Sequence, residues 1–272
     1  MEININPIVF TIGSLEIRWY GLMIALGVFI LVLWTFWQVR KHWPGFPPDR
    51  ILMLAIVGIP SGIIFARLIH VIDKWEYYSQ NLGQIIGGEG LTIYGAILGA
   101  VLGTWIYSRF RPFNYGFGAD LVAPGIILAQ IIGRVGCFLN GCCHGLEAPT
   151  SLPWGVTYTN PACAVDPKLL NVPVHPTQLY EIIFLIFLFG IIMLLKGRLK
   201  PDGSLFLVYL GSYSLWRFSI GFLRDNDPFL FGLNQAQFIG ILVLVIVIGL
   251  LIYKRVRFVK SVEIPKVERQ EE

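Results

Sequence analysis

The chain has 272 residues, of which 55% are hydrophobic and only 14% are charged, with a formal net charge of +4. Soluble domains carry about 25% charged residues, so this composition excludes an ordinary soluble protein. It indicates an integral membrane protein, and we expect no nucleic acid among its partners.

Long apolar segments predict the helices along the chain. The hydrocarbon core of a bilayer is roughly 30 Å thick, so a helix needs about 20 mostly apolar residues to cross it. Seven segments are predicted to do so: 19–39, 51–72, 90–108, 120–134, 181–195, 204–217 and 234–253. The first apolar run starts late and continues to spanning length, so we expect no cleavable signal peptide. The predicted fold is an all-α integral membrane protein with seven transmembrane helices.

The distribution of Lys and Arg predicts the orientation of these helices. Most of them fall in the odd-numbered connections and after the last apolar segment. Because positive loops stay in the cytoplasm, we expect the N-terminus outside and the C-terminus inside. Residues 1–260 then form a single membrane domain, followed by a cytoplasmic tail at 261–272. The longest connection, 135–180, is predicted to be a small irregular outer cap between helices 4 and 5.

The stretch "IIGRVGCFLNGCCHG", residues 131–145, interrupts an apolar segment with polar groups. Arg134 lies between Gly133 and Gly136, so we expect the backbone to approach a ligand closely and the guanidinium to bind an anion. The alternative is an arginine that extends to the membrane interface as an anchor. The flanking glycines favour the functional interpretation, because an anchor needs no special backbone.

Two further arginines are predicted on the same outer side. Arg217 and Arg224 are seven residues apart in "LWRFSIGFLRDND", so they share a face if this segment is helical. One of them could simply pair with Asp225 or Asp227. If both converge with Arg134, the three guanidinium groups form a site of the size of a phosphate.

The block "VHPTQLYE" places His175 at the start of the fifth segment. We expect Thr177 to be the N-cap of that helix and Glu181 to lie in its first turns. Tyr20, in "EIRWYG", is at a position typical of the aromatic belt at a membrane interface.

The four cysteines all fall on the side predicted to be outside, where disulfides persist. A disulfide between Cys163 and either Cys142 or Cys143 is the favoured prediction, with packed free thiols as the alternative. A zinc site formed by Cys137, Cys142, Cys143 and His144 is conceivable, but the usual paired spacing of zinc ligands is missing, so no metal is expected. The C-x-x-C pair of a redox enzyme is missing from the sequence.

Several blocks, taken in order, carry a resemblance to a known family over nearly the whole chain. They are "FTIGSLEIRWYGLMIALGV", "FARLIHVI", "GRVGCFLNGCCHG", "HPTQLYE", "RFSIGFLRDND" and "LNQAQ". The third falls on the family signature G-R-x-x-N-F-x-N-G-E-x-x-G. The sequence thereby resembles the prolipoprotein diacylglyceryl transferases of bacterial membranes.

This resemblance implies a reaction, its partners and a location. The family transfers a diacylglyceryl group from phosphatidylglycerol to the lipobox cysteine thiol of a prolipoprotein signal peptide, forming a thioether and releasing glycerol-1-phosphate. It implies an enzyme of the bacterial cytoplasmic (inner) membrane with its active site toward the outer face, and no cofactor. The alternatives are a lipid or anion transporter and a lipid-modifying relative with another acceptor.

The resemblance also implies roles for individual residues. Arg134 and Arg224 match catalytic arginines, and Tyr94 stands where many members have a catalytic histidine. Substrate binding is implied for Arg134, Tyr20, Asn140, Gly145, Arg217, Gly95 and His175. A neutral tyrosine is a poor base, because its reference pKa is about 10, so the base stays open between His144 and His175.

The sequence departs from the family pattern at three further positions. Cys137 stands in place of an Asn, Cys142 in place of a Glu, and Gly221 in place of a frequent Glu. One hypothesis is that Cys137 and Cys142, by packing or by bridging, replace a polar network that orients Arg134.

Overall fold

A computed structural model describes residues 1–13, 15–85, 93–149, 151–224 and 228–263. Within these ranges a few side chains are not described: those of Leu15, Asp73, Ile93, Tyr94 and Pro228 and of residues 257–263. Most of the predicted tail, and Asp225 and Asp227, therefore lie outside the described residues.

Helices dominate the described part of the chain. They are α1 Trp19–His42, α2 Pro48–Asp73, α3 Trp75–Tyr78, α4 Ile93–Phe110, α5 Tyr115–Asn140, α6 Thr177–Leu195, α7 Ser204–Ile220 and α8 Gln235–Glu263. Short 3-10 turns lie at Leu82–Gln84, Pro167–Leu169 and Gly221–Leu223. The strands are short: β1 Glu2–Ile3, β2 Ile8–Ile12, β3 Leu15–Arg18, β4 Val156–Tyr158, β5 Pro173–Val174, β6 Pro228–Leu230 and β7 Leu233–Asn234.

Five of the described helices are long and apolar enough to cross a membrane. They are α1, α2 over Pro48–Ile72, α5, α6 and α8 over Gln235–Val256. The predominantly helical membrane protein predicted from composition is thus confirmed at this level. Seven spans and the orientation of the termini stay predictions.

The chain forms two compact units, one of residues Met1–Trp34 with Gly116–Glu272 and one of residues Thr35–Tyr115. The core of the first unit is formed by α5, α6 and α7. Its buried side chains are Ala123, Ile127, Leu185, Leu188, Ile192, Leu205 and Tyr209. At one end of this core, the Asp120 carboxylate accepts hydrogen bonds from the backbone N–H groups of Gly203 and Phe206, at 2.7 and 2.8 Å. Asp120 thereby satisfies donors at the start of α7 that have no partner within the helix.

The connection between α5 and α6 is more regular than the irregular cap predicted for it. β1, β4 and β5 form a sheet in which β1 runs parallel and β5 antiparallel to β4. Side chains on one face of this sheet, including Ile3, Val156, Tyr158 and Val174, form a separate small core. The prediction missed this sheet because β1 lies more than 150 residues from β4 in sequence, and short strands have no clear periodicity of their own.

The second unit is organised by the contact between α2 and α4. Gly95, Gly99 and Gly103 recur every four residues on α4, so they share one face of the helix. A Cβ atom at Gly99 would collide with the Ser61 carbonyl and with Phe65 on α2. The absence of side chains at these positions allows the two backbones to approach closely, which is the usual way that membrane helices associate.

Candidate functional site

The polar stretch after residue 133 is mostly helical, because α5 continues to Asn140 rather than ending at residue 134 as predicted. The helix ends in a Schellman motif at Gly141, which has φ = 75°. The Gly141 N–H donates to the Phe138 carbonyl and the Cys142 N–H to the Cys137 carbonyl, at 3.3 and 3.1 Å. This motif folds the chain back so that the side chains of Cys137 and Cys142 meet.

Cys143 lies next to this helix end in a left-handed conformation, with φ = 64°, that is uncommon for a residue other than glycine. Its carbonyl accepts hydrogen bonds from Thr177 Oγ1 at 2.8 Å and from Arg224 Nη2 at 2.7 Å. The neighbouring Cys142 carbonyl accepts one from Gln178 Nε2 at 2.7 Å. The start of α6 and the segment after α7 therefore hold this loop in place.

Arg134 is fixed by a buried carboxylate. Its Nε lies 2.9 Å from Glu181 Oε1, and the Glu181 side chain is only 1% exposed. The same oxygen accepts a hydrogen bond from the Tyr213 hydroxyl at 2.9 Å. Arg134 Nη1 contacts Cys137 Sγ at 3.8 Å. Glu181 therefore holds the guanidinium group of Arg134 through its Nε atom, and Cys137 contacts one of its terminal nitrogens.

Arg217 and Arg134 are close enough to act electrostatically on Arg224, and the convergence of the three arginines on one phosphate stays a prediction. The pKa of Arg224 is lowered, first by burial and then by the positive charges of Arg217 and Arg134. Arg224 Nε is buried and has no hydrogen-bond partner among the described residues. An anion bound here would relieve the repulsion between the guanidinium groups.

Three thiols lie beside these arginines. The Sγ atoms of Cys137, Cys142 and Cys143 are within 4.8 Å of one another. Hydrogen bonds from the Cys137 and Cys142 thiols lower the pKa of Cys143, and the charges of Arg134 and Arg224 lower it further. The side chains thus form a compact cluster of polarisable groups in a positive environment.

The disulfide predicted for Cys163 is wrong. All four cysteines lie in the described residues and are free thiols. Cys163 instead belongs to the core of the small sheet, and its Sγ donates to the Ile5 carbonyl at 3.9 Å. The prediction failed because the helix-end motif directs Cys142 toward Cys137. The bridging form of the hypothesis for Cys137 fails with it, while its contact with Arg134 agrees with the packing form.

Other residues proposed for the site surround the same helix end. Asn140 is buried, and its Oδ1 has no hydrogen-bond partner among the described residues. Gly145 is packed so closely that a Cβ atom would collide with Leu223, His175 and Thr177. His175 Nδ1 lies 3.3 Å from the Tyr180 hydroxyl.

His144, the second candidate base, has Nδ1 2.9 Å from the Gly145 carbonyl. That oxygen can only accept, so the contact places the proton on Nδ1 and leaves Nε2 as the basic nitrogen. The geometry of either histidine is thus compatible with a base, and the choice stays a prediction.

Gly136, two residues after Arg134, has a different role from the one predicted. A Cβ atom at Gly136 would lie 2.8 Å from Met23 Cβ and 3.3 Å from Tyr20 Cα. Gly136 therefore allows α1 to approach α5, rather than allowing a ligand to approach the backbone. This close contact also brings Tyr20 next to the turn of α5 that follows Arg134.

Two predicted site residues belong to the second unit. Tyr94 lies in the first turn of α4, and its side chain is outside the described residues. Gly95 is buried where α4 contacts Phe65 and Ala66 of α2. That contact explains a glycine at position 95 by packing, and its part in substrate binding stays a prediction.

Glu181, Gln178 and Thr177 were missed as site residues. The prediction that Thr177 is the N-cap is wrong, because Pro176 holds that position and Thr177 is the first helical residue. A signal was present in the sequence, since Glu181 is the only charged residue in the otherwise apolar α6. Ionisable groups in such segments are usually paired and functional.

Comparisons with known proteins agree with the resemblance seen in the sequence. Residues 7–253 match the family model described as prolipoprotein diacylglyceryl transferase. A phosphatidylglycerol–prolipoprotein diacylglyceryl transferase of Dehalococcoides mccartyi is 52% identical over 93% of this chain and 95% of its own. Proteins of the same name from Clostridioides difficile and Listeria innocua are 36% and 35% identical, over 87% and 93% of this chain and 90% and 91% of theirs. The chain belongs to the prolipoprotein diacylglyceryl transferase family.

Proposed function

We propose that the protein transfers the diacylglyceryl group of phosphatidylglycerol to the cysteine thiol of a prolipoprotein, the first step of lipoprotein maturation in bacteria. A thioether forms and glycerol-1-phosphate leaves. Family membership supports the activity. The observation that supports the site is the group of arginines 134, 217 and 224 toward the C-terminal ends of α5 and α7.

The charge at this site suits the leaving group. As the bond between the glyceryl carbon and the phosphate oxygen breaks, a phosphate diester with one negative charge becomes a phosphate monoester with a larger negative charge. Fixed guanidinium groups in a site of low dielectric constant therefore stabilise the transition state more than the bound lipid. We assign phosphate binding and transition-state stabilisation to Arg134 and Arg224, with Arg217 adding charge.

The remaining residues are assigned supporting roles. The unpartnered Asn140 Oδ1 is available to accept a hydrogen bond from a glycerol hydroxyl, and Gly145 allows Leu223 and His175 to pack against the loop that follows α5. Tyr20 and His175 contribute polar contacts at the rim. Gly95 and Tyr94 are assigned to the site from the resemblance alone, and His144 and His175 are the candidate bases.

We further propose the membrane arrangement that this reaction requires. Seven helices span the bacterial inner membrane, namely α1, α2, α4, α5, α6, α7 and α8. With the N-terminus outside, the ends of α5 and α7 that carry the arginines face outward, where secreted precursors and outer-leaflet lipid meet. The domain ends near residue 260, and the last residues form a cytoplasmic tail.

One assay tests the proposal. The purified protein is incubated with phosphatidylglycerol vesicles and a lipobox peptide, and the diacylglyceryl thioether is measured by mass spectrometry. Arg134→Ala should reduce turnover about 10³-fold, the scale seen when one preorganised group that stabilises transition-state charge is removed.

Arg198→Ala is the matched control, because Arg198 is an exposed arginine beyond the opposite end of α6. It should retain turnover. Undiminished transfer by the Arg134 variant, or no thioether from the unmodified protein, would refute the assignment.

A further inference from the structure

The reaction steps proposed so far do not use the three thiols. The sulfur atoms of Cys137, Cys142 and Cys143 lie within 4.8 Å of one another. Zinc binds thiolate sulfur at about 2.3 Å, which places two sulfurs of a tetrahedral site about 3.8 Å apart. The cluster is therefore close to the size of a zinc coordination shell, and rotation of the side chains can supply the difference.

The backbone that carries the thiols is fixed by contacts of its own. The Schellman motif at Gly141 sets the positions of Cys137 and Cys142. Cys143 is held in its left-handed conformation by the hydrogen bonds that its carbonyl accepts from Thr177 and Arg224. Uncommon backbone conformations of this kind concentrate at sites that bind ligands. The arrangement is thus preorganised rather than a chance meeting of mobile side chains.

The surrounding charge suits a thiolate–metal site. Three thiolates and one Zn²⁺ carry a net charge of −1. Arg134 Nη1 lies 3.8 Å from Cys137 Sγ, and Arg224 binds the carbonyl of Cys143. These guanidinium groups offset the excess negative charge, and thiolate ligands select zinc or copper(I) over magnesium or calcium.

The cluster is closed on one side and open on the other. Cys137 is buried, Cys142 is half-buried and Cys143 is exposed. Structural zinc sites have four protein ligands, whereas catalytic ones have three and leave the fourth position to water or substrate. Three thiols with one exposed member therefore fit a site that accepts a ligand from outside.

We propose that Cys137, Cys142 and Cys143 bind one zinc ion whose fourth position receives the acceptor thiol of the lipoprotein precursor. The inference rests on the proposed function for the identity of that acceptor. The role of the thiol cluster is then to hold the zinc ion that activates the acceptor thiol. A neutral thiol is a poor nucleophile, whereas a thiol bound to a metal ion is deprotonated.

The reaction then proceeds with every proton and electron pair accounted for. On binding zinc, the acceptor thiol releases its proton to water at the exposed side of Cys143. A sulfur lone pair attacks the glyceryl carbon and forms the C–S bond. The electron pair of the broken C–O bond stays on the phosphate oxygen of the leaving glycerol-1-phosphate, whose added charge faces Arg134 and Arg224. The thioether product is a weaker ligand than a thiolate and leaves the metal.

Metal binding can be tested without turnover. The purified protein should contain about one zinc per chain by atomic absorption. With Co²⁺ in its place, the spectrum should show thiolate-to-cobalt charge transfer. This absorption should increase when a lipobox peptide is added and stay constant with the same peptide carrying Ser for Cys.

Two cysteine variants give the matched comparison. Cys142→Ser should lower zinc affinity more than about 100-fold, because the loss of an outer-shell partner of a metal ligand alone costs about 10- to 100-fold. Cys163→Ser should leave it unchanged, because Cys163 lies in the separate sheet core. A disulfide among residues 137, 142 and 143 in active protein, or equal zinc content in the two variants, would overturn the proposal.

A pH profile connects the metal to the reaction. At pH 7 a thiol with a pKa of about 8.5 is about 3% ionised, so the chelated protein should transfer up to 30-fold more slowly than the zinc form. Its rate should rise about tenfold per pH unit below 8.5, whereas the zinc form should be nearly flat. Added zinc should restore the rate of the chelated wild-type protein.

The two proposals can fail separately. Undiminished transfer by metal-free protein would reject the zinc role and leave the transferase function intact. A normal cobalt response to the peptide, with no thioether formed under any condition, would reject the transferase function and leave the metal site.

Discussion

The α2–α4 pair and the end of the α5–α7 core hold their helices together in opposite ways. On α4, Gly95, Gly99 and Gly103 let two backbones touch, and the contact is made of small groups. At the end of α5, Arg134 and Glu181 form a buried ion pair instead. Small-residue contacts stabilise membrane helices without any ligand, whereas buried charges are costly unless they are paired or used. Function is therefore expected at the end of the α5–α7 core, where Arg134 and Glu181 lie.

The largest expected effect comes from replacing the planar guanidinium group of Arg134 with the compact ammonium group of lysine. Arg134→Lys keeps a positive charge but loses the planar fork, so it no longer offers separate donors at fixed angles to Glu181 and to a phosphate oxygen. We expect turnover to fall about 10²-fold, which corresponds to an activation free energy higher by about 2.7 kcal/mol. The measurement is thioether formation at saturating phosphatidylglycerol.

Lys168→Arg is the control for this exchange, since Lys168 lies in the cap and is exposed. It should retain turnover. If Arg134→Lys were as active as the unmodified protein, point charge alone would suffice and the oriented geometry at Glu181 would be irrelevant to catalysis.

The second expected effect tests the small-residue region. In Gly99→Ala the added Cβ meets the Ser61 carbonyl and Phe65, and neither backbone nor a Cβ atom can move cheaply. Such overpacking lowers the free energy of unfolding by about 1 to 3 kcal/mol. Thermal unfolding in detergent should therefore show a lower Tm.

Gly190→Ala provides the contrast, because a Cβ atom at Gly190 on α6 meets nothing within 4 Å. Its Tm should stay the same or rise slightly, since alanine loses less conformational entropy on forming a helix. Equal changes in Tm for Gly99→Ala and Gly190→Ala would mean that close packing on α4 is not what stabilises the contact between α2 and α4.

The helices were predictable from the sequence because their apolar runs are long. The candidate arginines were predictable because charges stand out within or beside such runs, and they are Arg134, Arg217 and Arg224. The network that orients these arginines was not predictable, because a glutamate at position 181 is equally typical of the start of a helix. A zinc site at the neighbouring cysteines was considered but not expected from the sequence, for a related reason. Rules for zinc ligands describe paired spacings such as C-x-x-C, whereas here a helix-end motif brings together two cysteines five residues apart and a left-handed Cys143 adds the third.

The smallest expected effect separates orientation from charge at Arg134. In Glu181→Gln the amide oxygen can still accept from Arg134 and Tyr213, so the fold should survive. The lost carboxylate charge leaves the guanidinium groups more positive, which strengthens binding of the lipid phosphate in the ground state. Arg134 is held less firmly, so we expect kcat to fall about tenfold, or about 1.4 kcal/mol, while KM stays equal or falls.

Glu147 is an exposed glutamate in the connection between α5 and α6, and Glu147→Gln should change neither kcat nor KM. The split between kcat and KM is what decides the role of Glu181. A structural role alone would reduce the amount of folded protein and leave the KM of the remainder unchanged, with kcat per folded molecule intact. A raised KM with normal kcat would instead mean that Glu181 contributes to lipid binding, and that Arg134 needs no partner to act on the leaving phosphate.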